Sequence, residues 1–129
     1  MIWLFLKQYY KTILIGLLIL WLSLTGSSTM VPGRILNIPY IDKLGHLSMY
    51  ALFSAVLLLD SCHWKTNRGF SYVVLLIPLG FGALMEILQM TLTQARKAEI
   101  TDLAANILGV TAGIIAAHIA IKLLDKIKS

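Results

Sequence analysis

A single cysteine, Cys62, in 129 residues excludes an internal disulfide and leaves no second thiol for a metal knuckle. It is expected to be a structural thiol. Charge is also scarce. Lys, Arg, Asp and Glu make up 13% of the chain while 58% is hydrophobic, and the mean hydropathy is +0.81. So few charges cannot clothe so much apolar surface in water, which excludes a soluble domain. Catalytic signatures are missing as well. There is no strand-turn-helix nucleotide loop and no G-x-S-x-G elbow, and Ser23, Ser27 and Ser28 have no histidine near them in sequence. Acidic residues number 6 against 11 Lys and Arg, a net charge of +5. In an apolar chain this excess marks cytoplasmic loops, not a nucleic-acid partner.

What the chain does have is long apolar runs. A crossing takes about 20 mostly apolar residues, and four such runs fit, approximately 12–31, 43–60, 70–92 and 102–124. The fold expected is all-α, a polytopic membrane protein with four transmembrane helices in a compact bundle, as one domain over 1–129. The first run, "TILIGLLILWLSLTGSSTMV", ends before Pro32-Gly33, a pair that stops helices. Its start is open, because "MIWLFL" either extends the helix or lies along the interface with Trp3, Tyr9 and Tyr10 as anchors. A signal peptide is the competing reading. The run has no convincing small-x-small cleavage site, so a retained helix is expected. Pro78 predicts a kink in the third run, and Thr101 is a plausible N-cap for the fourth.

Charge sets the orientation. With both termini cytoplasmic, Lys7, Lys11, Lys65, Arg68, Lys122, Lys126 and Lys128 all fall inside. Arg34, Lys43, Arg96 and Lys97 are left outside with Asp42, Glu86, Glu99 and Asp102, so the outer face sums to zero. The outer charges are expected to pair with one another.

Those outer residues fall on stripes. Asp42, His46 and Tyr50 follow i, i+4, i+8; Glu86 and Gln89, and Asp102 and Asn106, follow i+3 and i+4. Helical rise places Tyr50 roughly 12 Å below Asp42. A lipid-facing carboxylate at such depth is costly, so each stripe must face the bundle interior. Lys43 belongs to the same cluster, and Arg96 is the expected counter-ion for one carboxylate. Ala105, Gly109, Gly113 and Ala117 form a small-residue ridge at four-residue steps, suited to close packing.

The segments "DKLGHLSMYALFS", "GALMEILQ" and "DLAANILGVTAG", with Arg96 between the last two, resemble the VanZ-like family of small bacterial membrane proteins. The resemblance covers roughly residues 32 to 117. It places the family pattern on Asp42, Lys43, His46, Tyr50, Glu86, Gln89, Arg96, Asp102, Asn106 and Gly109. The family is named for proteins associated with teicoplanin-type glycopeptide resistance, so the resemblance implies a role in the bacterial cell envelope without choosing a mechanism.

Three readings of the cluster stay open. It is a binding site open to the outer leaflet for a lipid or lipid-linked wall precursor, an acid/base centre of a membrane enzyme, or a structural network that locks helix register. A metal held by His46, Glu86, Asp42 and Asp102 is chemically possible, but no H-E-x-x-H spacing supports one, and no cofactor is expected. His63 and His118 are read as interfacial residues. A homo-oligomer through the Gly109 and Gly113 ridge is a further expectation.

Overall fold

The computed structural model describes residues 1–25, 33–61, 68–92 and 100–129, and within them the apolar runs are helices. They form α1 (Ile2–Thr25), α2 (Gly33–Leu36), α3 (Ile41–Asp60), α4 (Arg68–Leu92) and α5 (Ile100–Lys128). Four of these, all but the one-turn α2, are long and apolar enough to cross a membrane.

α1 begins ten residues earlier than the sequence suggests. No breaker separates Ile2 from Thr12, and the polar Lys7, Gln8 and Lys11 do not interrupt the backbone, since long cationic side chains extend along an apolar helix toward water. The expected end at 31 lies outside the described residues. α4 runs unbroken through the buried Pro78, and α5 continues to Lys128, where Lys126 and Lys128 oppose the negative end of the helix.

α3 and α5 make the most extensive contact in the molecule, and they run parallel. Lys43 meets Asp102, His46 meets Asn106, and further along Ser54 Oγ donates to the carbonyl of Val110 at 3.1 Å. The two backbones approach closely because α5 presents glycine there. A Cβ on Gly109 would collide with the carbonyl of Leu47, and one on Gly113 with the carbonyl of Ala51 and with Ser54 Oγ. Gly109, Gly113, Ala105 and Ala117 are all buried within the chain, Gly109 and Gly113 against α3, which is the close packing expected of the small-residue ridge.

All four long helices contribute to one core of Ile19, Tyr50, Phe53, Met85 and Val110, with the rings of Phe53 and Phe81 tilted against each other at 5.3 Å between α3 and α4. At the far end of α3, Asp60 faces the unfavourable carbonyl end of its own helix and is buried against α1. Its carboxylate accepts from Thr12 Oγ1 at 2.7 Å, Thr12 N at 3.3 Å and Lys11 Nζ at 3.5 Å, and Gln8 donates to its carbonyl at 3.1 Å. Thr12→Val removes the shortest of these bonds at nearly constant shape. It is expected to destabilise the bundle by about 1–3 kcal/mol, the cost of under-satisfying a buried acceptor. Thermal unfolding in detergent measures it, and an unchanged melting temperature would remove Asp60 from the set of helix locks.

Candidate functional site

Because α3 and α5 are parallel, both of their amino termini open at the same end of the bundle. Each carries an aspartate in its first turn, Asp42 and Asp102. Lys43 Nζ reaches across to Asp102 Oδ1 at 3.2 Å, and the Asp102 side chain is 8% exposed against 26% for Lys43. One turn deeper, His46 Nδ1 lies 3.1 Å from Asn106 Oδ1. An amide oxygen only accepts, so this contact requires the proton on Nδ1.

α4 closes the third side. Glu86 Oε1 stands 4.0 Å from His46 Nδ1. Gly82, one turn before Glu86, lies where Tyr50 and Asn106 converge: a Cβ there would sit 3.2 Å from both Asn106 Nδ2 and Tyr50 Cε1. Tyr50 and Asn106 are each 1% exposed, and Tyr50 Oη and Asn106 Nδ2 have no hydrogen-bond partner among the described residues. The result is a polar shaft of packed side chains, charged at its mouth by the helix amino termini and carrying hydrogen-bond donors deeper down.

Asp42, Lys43, His46, Asp102 and Asn106 are thus brought together, with Glu86 and Tyr50 on the adjoining walls. Gln89 has a different task in view: its amide donates to the carbonyl of Ser23 at 3.0 Å and ties α4 to α1. Arg96, Cys62 and His63 lie outside the described residues. His118 is exposed, and its Nδ1 lies 3.0 Å from the carbonyl of Ile114 in its own helix.

Beside the mouth, an open groove of about 360 Å³ runs between α3 and α5, lined by Tyr40, Leu44, Leu47, Thr101, Ala104 and Leu108, and by Lys43 itself. Tyr40, just before α3, holds a left-handed backbone (φ 63°), a conformation uncommon for a residue with a side chain. The groove was not legible in the sequence, because it arises from the parallel crossing of two helices distant in the chain. Gly82 was missed too; its spacing of four from Glu86 was the available signal.

A family model described as VanZ/LLP1 matches residues 8–121, which contain every residue of this site. The chain belongs to the VanZ/LLP1 family. It is a VanZ-like membrane protein, and its four apolar helices make it multi-pass. None of the curated proteins and none of the solved structures matches it.

Proposed function

We propose that this VanZ-like protein binds a lipid or lipid-linked wall precursor from the outer leaflet, and that this binding affects susceptibility to glycopeptides such as teicoplanin. The observation that carries the reading is the double position of Lys43, which lines the apolar groove and also pairs with Asp102 in the polar shaft. An amphiphile needs that junction: a slot for a hydrocarbon chain that ends at a cation. The head phosphate would meet Lys43, with Arg96 suited by its planar fork to a bidentate contact. Head-group oxygens reaching deeper would satisfy Tyr50 Oη and Asn106 Nδ2. Two unpaired buried donors disfavour a purely structural network, since each costs about 1–3 kcal/mol and a network kept for stability would satisfy its members.

The expected result is that wild-type protein copurifies with phosphate-headed lipids by mass spectrometry, and that Lys43→Ala and Arg96→Ala each retain several-fold less. Equal lipid, in kind and amount, in wild type and both variants would end the phosphate-binding idea. A catalytic reading is favoured by the approach of Glu86 to His46, which suits acid/base work. Conversion of the copurified lipid by wild type but not by His46→Gln would identify it.

The orientation belongs to the same proposal. Both termini are placed in the cytoplasm, so a reporter fused after Ser129 is expected to read as cytoplasmic and a cysteine at Thr66 to resist labelling from outside. The opposite pattern would move the shaft to the inner face.

A further inference from the structure

We infer that Asp42, His46 and Asp102 hold one divalent transition-metal cation at the mouth of the shaft. One ligand atom from each of the three side chains lies within 4.8 Å of the others, and His46 and Asp102 are buried. Bonds of about 2.0–2.2 Å to a central cation would draw such atoms together through small side-chain rotations. Two carboxylates with one imidazole form a mixed oxygen and nitrogen set, which suits zinc or manganese better than calcium or magnesium, whose sites are built from oxygen.

The surroundings of His46 support the assignment. Its Nδ1 lies 3.1 Å from Asn106 Oδ1, and a neutral ring that donates there keeps a lone pair on Nε2, the form of imidazole that binds metal. Ligating histidines in general donate their other ring nitrogen to such an outer partner, which fixes tautomer and ring orientation. Asn106 is itself 1% exposed, and its unpartnered Nδ2 is confined at Gly82, so the orienting group has little room to move. The ligands stand on two long helices locked together by the close approach at Gly109 and Gly113, not on loops.

Lys43 is the competing cation, since its ammonium occupies Asp102 Oδ1. Metal binding therefore requires that ammonium to turn toward the groove, where the proposed lipid phosphate would take it. Only this last use of the metal rests on the lipid reading; the ligands are the protein's own.

The test uses the full chain with a histidine-free tag, stripped of lipid and treated with EDTA in detergent, then loaded with Zn²⁺ or Mn²⁺ and desalted. Metal analysis is expected to find about one cation per folded chain in wild type, at least tenfold weaker binding in His46→Gln and Asp102→Asn, and tighter binding in Lys43→Met. The last variant separates a metal site from an ion-pair network, because loss of the ammonium helps only the former. Wild-type melting temperature is also expected to rise with added metal, a readout that survives if the ligand variants fail to fold. No metal-dependent rise in wild type, or metal content equal to that of His46→Gln, would overturn the inference. Because lipid is absent throughout, either result leaves the lipid reading to its own experiment.

Discussion

Gly113→Leu is expected to separate α3 from α5 and to leave the protein largely unfolded or aggregated in detergent. The first atom of any new side chain would meet the carbonyl of Ala51 and Ser54 Oγ, and it would stand 2.8 Å from the Ala51 carbonyl carbon. Two of those three atoms are backbone within a helix, so relief requires whole helices to move apart. Overpacking alone costs about 1–3 kcal/mol when side chains can adjust; here the Ser54 bond to Val110 is lost as well. A fall in apparent melting temperature on the order of 10 °C or more follows for a domain of this size. Gly80→Ala is the control: nothing lies within 4 Å of its Cβ position, and alanine favours the helix, so no loss is expected. Similar thermal traces for the two variants would mean that the α3–α5 contact does not hold the bundle together.

The helices were legible because a membrane span has to be apolar over its whole length, and runs of Leu, Ile, Ala and Val announce it without any knowledge of neighbours. The polar stripes were legible for the complementary reason: Asp42, His46 and Tyr50 at four-residue steps have no acceptable place in lipid, so they had to meet Asp102, Asn106 and Glu86. Pairings between helices were harder to see. Gly109 and Gly113 read equally well as a contact with α3 or with a second chain, since small residues indicate close approach but not the partner. Asp60 binds Gln8 and Lys11 as well as Thr12, and the first two belong to α1 only because it starts at Ile2, which the ambiguous "MIWLFL" did not fix. Gln89 was grouped with Glu86 from its spacing, and the bond of its amide to Ser23 on another helix could not be read from that spacing.

Glu86→Gln carries the second large effect, and it addresses function more than folding. Glu86 lies six residues before the end of α4, about 9 Å from that end by helical rise, while Asp102 sits in the first turn of its own helix. A carboxylate held that deep, 4.0 Å from His46, serves either to complete an ion network or to act on what enters the shaft. The amide keeps the shape and one acceptor oxygen but removes the charge. In a lock, removing one partner of a buried charged pair costs about 3–5 kcal/mol, and function falls only as the fold does. In a site, the fold persists and function is lost.

The central claim, that the shaft between α3, α4 and α5 is a site and not a lock, is therefore tested most directly by one paired measurement on Glu86→Gln. Thermal stability in detergent and glycopeptide susceptibility of cells carrying the variant are read side by side against wild type. The account predicts a melting temperature close to wild type together with loss of the susceptibility phenotype. A retained phenotype, or one lost only in step with stability, would contradict it.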